Sequence, residues 1–290
     1  MQQLLNGLFL GSIYALFAVG YTLVFGVLDI LNLAHQAVFM LAAFGALALV
    51  ERGLPLWAGI GAATLGAGLL GLVLERLAFR PLRGRADSNI SGLISSLAAA
   101  TIFEAIAAQL FGPDISRFPF GTVTDRNLNL FGVTVSVLQL QIAATAVALM
   151  AALTLLLAKT PLGRKIRAVA ESPRSARALG IDVDRIIATS FFLSSALGGA
   201  AGVLFGLAFN SISPDVGRSI ELKGLAVIIV GGMGSVPGAV VAGLLLGLLE
   251  VFTVSWIGSS YRDAIFFVAL FLVLLARPRG LFGRAAAREA

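Results

Sequence analysis

Residues 4–28 read LLNGLFLGSIYALFAVGYTLVFGVL, a run without a single charge. A bilayer core of about 30 Å takes roughly 20 apolar residues as helix, so this stretch predicts a membrane-spanning helix. It has no basic n-region and is too long for a signal-peptide h-region, so it reads as a true span and not a cleaved leader. Further runs of the same kind occupy about 33–50, 55–79, 90–111, 138–158 and 186–209. The stretch 222–257 is too long for one pass and is broken by Gly231-Gly232-Met233-Gly234-Ser235-Val236-Pro237-Gly238, and 261–276 forms a last run. Reading the broken stretch as 222–233 and 239–257 gives nine passes; a re-entrant break leaves eight or seven full spans. The expected fold class is an all-α polytopic membrane protein, one transmembrane domain over 1–290, built as a helical bundle with broken or short transmembrane helices.

Composition agrees. The chain is 58% hydrophobic and holds 33 Gly in 290 residues, about 69% apolar-plus-Gly against roughly 45–50% in soluble domains. Charged residues are 12%, about half the usual share, and the mean hydropathy is +0.97. That excludes a water-soluble globule and a disordered chain. Cysteine is absent, which removes disulfides, thiolate metal sites and cysteine nucleophiles. The net charge of +6 suggests nucleic acid only until its distribution is read. Of 21 basic residues, 15 fall in three clusters: Arg76, Arg80, Arg83 and Arg85; Lys159, Arg164, Lys165, Arg167, Arg174, Arg177 and Arg185; and Arg277, Arg279, Arg284 and Arg288. All three flank apolar runs, as cytoplasmic loops do under the positive-inside rule. The expected orientation therefore puts the N-terminus outside, the C-terminus in the cytoplasm, and 51–54, 112–137 and 210–221 outside. Small residues repeat every four positions at Gly7/Gly11, Gly198/Gly202/Gly206 and Ala239/Gly243/Gly247, which lets helix backbones approach closely.

Polar residues and backbone breaks at membrane depth mark cavities, pathways or partners. Asp29-Ile30-Leu31-Asn32-Leu33-Ala34-His35-Gln36 interrupts about 45 apolar residues. It is either a tight inside turn with Asn32 as helix N-cap, or a broken second helix whose N-terminal N–H groups face a translocation path and hold a substrate carboxylate. Glu104 and Glu250 stand alone in apolar runs; a proton relay is the sharper reading and helix-to-helix hydrogen bonding the plainer one, while Arg262-Asp263 reads as interfacial. The break containing Gly231, Gly232, Gly234 and Ser235 is either a membrane hairpin or a hinge beside the path; it is no P-loop, because that motif ends in Gly-Lys-Ser/Thr and no Gly-Lys pair occurs. The loop 159–185 reads as two short surface helices, with Ser172-Pro173 opening the second and Gly180 ending it. Ile166, Val169, Ala170, Ala176 and Leu179 give it an apolar stripe ringed by arginine, suited to anionic headgroups or to a groove on a soluble partner.

Taken together, these residues resemble the permease subunits of bacterial ABC importers for branched-chain amino acids, the LivH type, within the wider group that includes ribose permeases. The resemblance covers nearly the whole chain. It is carried by Asn6-Gly7-Leu8 with Gly11-Ser12-Ile13-Tyr14-Ala15-Leu16, by Asn32-Leu33-Ala34-His35, by Arg80-Pro81-Leu82-Arg83, by the loop from Gly163-Arg164 to Gly180-Ile181, by Gly231-Gly232-Met233-Gly234-Ser235, and by Arg277-Pro278-Arg279-Gly280-Leu281-Phe282-Gly283. Leu33 and Gln36 depart from the family's Asn-Phe-Ala-His-Gly, and Ser172 stands where an acid commonly precedes the proline.

The resemblance implies a second, LivM-like permease, two ATP-binding subunits of the LivG/LivF type, and an extracytoplasmic substrate-binding protein received by 112–137 with Pro113, Phe118, Pro119 and Phe120. It implies no cofactor on this chain, ATP and Mg residing on the partner subunits, and a bacterial inner-membrane location; nucleic acid is not expected. The loop becomes the coupling segment, with Gly163, Arg164, Arg167, Ala168, Glu171, Ala176 and Gly180 as its residues. The substrate path is expected at Asn32, His35, Gln36, Glu104, Gly231, Gly232, Gly234 and Ser235. The expected function is inward movement of leucine, isoleucine or valine by a subunit without its own ATPase site, with urea, amides or aromatic acids as other substrates of the same architecture. The rival reading is an ATP-independent secondary carrier driven by protons through Glu104 or Glu250. A membrane enzyme stands third, lacking a nucleophile, metal or acid/base cluster.

Overall fold

The uncharged first run forms α1 (Gln2–Leu28), and it is the hub of the bundle, buried from Ile13 to Val24. The computed structural model describes residues 1–83, 88–119, 121–122, 126–130 and 133–283; Arg85, Phe120, Arg284 and Arg288 lie outside the described residues. Around α1 stand α2 (His35–Glu51), α3 (Leu56–Leu74), α4 (Ser88–Phe111), α5 (Val137–Lys159), α8 (Val183–Phe209), α9 (Val216–Gly231), α10 (Val236–Trp256) and α11 (Arg262–Ala276). Two short helices, α6 (Pro161–Glu171) and α7 (Pro173–Ala178), link α5 to α8. Among the described residues seven helices are long and apolar enough to cross a membrane, and α2 and α9 are shorter, at 17 and 16 residues. The protein is an all-α polytopic membrane protein with one small exception. Strands β1 (Asn127–Leu130) and β2 (Val133–Ser136) pair antiparallel, Asn127 opposite Ser136, just before α5.

Glycine sets how closely the central helices meet. A Cβ on Gly11 of α1 would lie 2.8 Å from Leu244 Cα of α10, and one on Gly243 would lie 2.6 Å from Ala15 Cα. Along α8, Gly198 faces the His35 ring, Gly202 the Phe39 carbonyl and Gly206 the Ile212 side chain. With little hydrophobic force between helices in lipid, such close backbone packing is what holds them. The periphery differs: the apolar windows of α4 and α5 are 22% buried and that of α11 only 6%, against 83% for α1. Their outward sides are free for lipid or for another subunit.

The two ends of the bundle are chemically distinct. At one end, here the basic end, α3 runs on into a π turn (Glu75–Phe79) and a 3₁₀ turn (Arg80–Leu82). Arg83 there binds buried Glu75 and reaches Asp184 at the start of α8 over 3.2 Å, and Arg80 joins Asp184 at 3.6 Å. At the opposite end, Ser116 and Ile212 exchange backbone hydrogen bonds of 2.8 and 2.9 Å, and Phe118 N–H donates to Asn210 Oδ1 at 2.9 Å. Phe118 is buried beneath this contact, so it is not among the residues an incoming protein could touch.

Candidate functional site

After α1 the chain reverses within the bundle. Asp29 takes the left-handed conformation (φ 55°) and caps α1, and residues 30–34 then climb without helix until α2 starts at His35. The start of α2 lies beside Phe17 (ring centroids 4.8 Å) and Tyr21 (5.3 Å), seven to eleven residues back from the end of α1. At 1.5 Å per residue this is roughly 10–16 Å up the bundle. Non-helical backbone at such depth is tolerated only where protein or a cavity covers it. Here Leu33 N–H donates to Ser96 Oγ (3.1 Å) and Ala34 N–H to Asn32 Oδ1 (3.2 Å). The N-cap expected at Asn32 falls instead on Ala34, whose side chain cannot cap; Asn32 closes a local turn two residues earlier. The segment is a broken helix and not a turn outside the bundle.

Beside that helix start, Gln36 Nε2 donates to Glu104 Oε1 of α4 at 2.8 Å. Arg218, on the first turn of α9, grips the same carboxylate in a fork: Nη2 to Oε2 at 2.5 Å and Nε to Oε1 at 3.3 Å. Gly217 lets the two short helices touch, since a Cβ there would lie 2.6 Å from the Gln36 carbonyl oxygen. Several buried polar atoms nearby have no hydrogen-bond partner among the described residues: Tyr21 Oη, both His35 ring nitrogens, Gln36 Oε1 and Glu221 Oε1. Buried polar groups are normally paired, so this concentration of vacant donors and acceptors suits a polar guest. His35 has no carboxylate within hydrogen-bond reach among the described residues and is packed by rings and by Gly20 and Gly198.

The second lone acid lies in a different setting. Glu250 of α10 accepts from Tyr14 Oη (2.9 Å) and from Lys223 Nζ (2.8 Å). Lys223 also faces Asp263 at 3.3 Å, and Arg262 Nε stands 3.4 Å from Glu250. Four helices are thus tied by two cations and two anions, with Lys223 further held over the Tyr14 and Phe266 rings. Arg262 and Asp263 join this network and are more than interfacial. Glu104 and Glu250 both accept hydrogen bonds from side chains of other helices.

Gly231, Gly232, Gly234 and Ser235 do not join the Gln36 cluster. They form the turn between α9 and α10 at the basic end: Gly232 (φ 99°) and Gly234 (φ 83°) take conformations that favour glycine, and Ser235 Oγ caps α10 by accepting from Gly238 N–H at 3.2 Å. The tail closes over the turn, Leu281 N–H to Val230 O at 2.8 Å and Phe282 N–H to Gly231 O at 3.0 Å. In the connecting loop, Ser172 caps α7 by accepting from Ser175 N–H (3.2 Å), and Gly180 (φ 77°) ends it. The expected apolar stripe is divided. Ile166, Val169 and Ala176 are buried against the chain's own helices, as is Gly163, which lets α6 sit on the carbonyls of Leu156 and Leu157. What remains outside is Ala170, Leu179 at 79% exposure, Gly180, Glu171 and the arginines, including Arg164 and Arg167; Ala168 is half-buried and Arg167 folds back onto the Leu157 carbonyl.

A family model described as the branched-chain amino acid transport system permease component matches residues 3–274. The chain belongs to this family. The permease protein BraD of the high-affinity branched-chain amino acid transport system of Pseudomonas aeruginosa is 36% identical over 298 residues, covering 98% of this chain and 96% of BraD. LivH of Escherichia coli K12 is 32% identical over 297 residues, with 98% and 96% covered. LivM of the same strain is also similar, 28% identical over 94% of this chain and 68% of LivM. Among solved structures, PsaBC from Streptococcus pneumoniae in complex with Fab superposes with a TM-score of 0.50 at 14% identity, over 97% of this chain and 94% of that one, a likeness of fold alone.

Of the residues that the structure brings into these two clusters, the sequence singled out Asn32, His35, Gln36, Glu104 and Glu250, and gave no role to Arg218, Glu221 and Lys223. The two former fell in a stretch read as an outside loop, and Lys223 was absorbed into the apolar run beginning at 222. One signal was available. Each lone acid at membrane depth calls for a cation at similar depth, and Arg218 and Lys223 were among the six basic residues outside the three clusters.

Proposed function

We propose that this permease carries a branched-chain amino acid, leucine, isoleucine or valine, into a bacterial cytoplasm, as the membrane subunit of an importer whose ATP is hydrolysed on separate subunits. Family membership supports the substrate class, and the interrupted start of α2 is the observation that carries the path. A helix beginning inside the bundle, beside Asn32, His35, Gln36 and Glu104, brings its positive end and vacant polar side-chain atoms to the depth where a small zwitterion must shed water. The turn at Gly231–Ser235 belongs at the inner end, packed under the tail, and is assigned to neither binding nor gating.

The basic end faces the cytoplasm under the positive-inside rule, with the N-terminus outside. A LivM-like permease lies against this chain, two LivG/LivF-like ATP-binding subunits below it and a substrate-binding protein above. Coupling runs through α6 and α7. Arg164, Arg167, Glu171, Gly180 and Leu179 form the contact face, while Gly163, Ala168 and Ala176 seat the loop on the bundle so that movement of a motor subunit is transmitted. The chain itself binds neither ATP nor a cofactor.

Reconstitution tests this. Leucine uptake into vesicles by the assembled complex requires ATP and the binding protein and ignores an uncoupler; uptake by this chain alone, collapsed by an uncoupler and indifferent to ATP, defeats the reading in favour of a secondary carrier. Leu179→Asp leaves the complex assembled but lowers binding-protein-stimulated ATPase about tenfold or more, as expected for an interface anchor. Unchanged ATPase moves the coupling elsewhere.

A further inference from the structure

Arg218 is 68% exposed and its partner Glu104 only 12%. The pair lies on the outward side of α4 and α9, among exposed apolar residues such as Leu97 and Leu222. Glu104 is seven residues before the end of α4, about 10 Å inside it, which is hydrocarbon depth. A charge at such depth faces a wet cavity or a partner and not lipid. A purely structural ion pair would be better served by the arrangement around Glu250, where the carboxylate is enclosed and fully partnered. Around Glu104 the surroundings are unfinished. Gln36, 4% exposed, aims Nε2 at Glu104 and leaves Oε1 without a partner against the start of α9. Glu221, three positions on from Arg218, has a buried, partnerless Oε1. Arg218 Nη1 makes no hydrogen bond among the described residues.

From this we propose that Arg218 and Glu104 read the two charges of the transported amino acid: the substrate carboxylate takes the vacant edge of the Arg218 guanidinium, and its ammonium takes Glu104. The inference rests on the importer reading above and names the contact by which that path recognises its cargo. The guanidinium's planar fork suits a carboxylate on each edge, so Glu104 can hold Arg218 in place and still leave donors for a guest. Leu222, one helical turn from Arg218, supplies an apolar wall for the aliphatic side chain. The exposed side of the pair is then turned to the path between this chain and the second permease. Selection here is by charge pattern, so any small zwitterion with an apolar side chain meets the same two groups.

The test uses the full complex in proteoliposomes, with labelled leucine, ATP and the binding protein. Arg218→Gln and Glu104→Gln are each expected to lower uptake about tenfold or more, as loss of a charge-assisted contact does, with assembly of the complex intact. The exchanged pair Glu104→Arg with Arg218→Glu restores the ion pair but reverses its polarity; uptake stays low if the pair reads the substrate. Recovery of uptake in the exchanged variant, undiminished uptake in the single variants, or failure of all three to assemble makes the pair a structural tie and overturns the proposal. An unmodified complex that takes up no leucine under ATP fails the importer reading itself, which is a separate outcome.

Discussion

Glu250 and Glu104 are the same residue type, each alone in an apolar run, yet the fold sets them in different surroundings. Glu250 is enclosed, accepts from Tyr14 and Lys223, and is backed by Arg262 and Asp263. Glu104 is mostly buried, but its cation reaches in from an exposed position. The first arrangement is closed on itself: a buried pair in which removing one member strands the other. The second leaves donors and acceptors vacant at a surface that must be wet or covered. A carboxylate at membrane depth therefore does not announce its role; what distinguishes a tie from a site is whether its partners are used up.

The largest effect expected from this contrast is at the enclosed network. Glu250→Gln leaves Lys223 without its closest carboxylate and should cost about 3–5 kcal/mol, seen as a marked fall in the thermal midpoint of the detergent-purified complex. Replacing both partners, Lys223→Met with Glu250→Leu, should recover most of that loss, because an apolar pair of similar volume needs no compensation. A Glu250→Gln protein as stable as the unmodified one would erase the contrast. Tyr14→Phe removes the hydrogen bond donated to Glu250 and the longer one accepted from Lys223 Nζ (3.3 Å), and should lower stability by about 1.5–3 kcal/mol, less than stranding Lys223 and more than any change at the open pair. The smallest stability effect belongs to Arg218→Gln. Arg218 is largely exposed and Glu104 keeps its bond from Gln36 Nε2, and a pair with one solvated member contributes little to folding, so the thermal midpoint should fall less than in either single variant above while uptake falls; a large drop in stability would make the two clusters alike.

Much of this was legible before any coordinates. Runs of uncharged residues are long because the hydrocarbon core is thick, so the spans at residues 4–28 and 186–209 could be read directly, and they lie within α1 and α8. Ser172-Pro173 and Gly180 specified the ends of α7 through local backbone chemistry. The stripe in the loop was also visible, but its use was not. Helical periodicity tells which residues share a face and cannot tell whether that face meets the chain's own bundle or another protein; Ile166, Val169 and Ala176 turned inward and Leu179 outward. The Gly231–Ser235 break was equally plain as a break, and only its contacts with the tail show that it belongs to the basic end.

Membrane insertion, the count of apolar runs, the asymmetry of basic charge and the caps all follow from short-range chemistry, the solubility of each segment and the conformations its residues allow. The amino-acid order alone determines them. Which lone charges find one another is another matter: Tyr14 and Glu250 are 236 positions apart and Glu104 and Arg218 are 114 apart. Those pairings exist because Gly7, Gly11, Gly243 and Gly247 let α1 and α10 close together, and because α2 and α9 both begin inside the bundle. Only the tertiary structure decided them, since the energy of an ion pair depends on distance through space and on what surrounds it, and neither quantity is written along the chain.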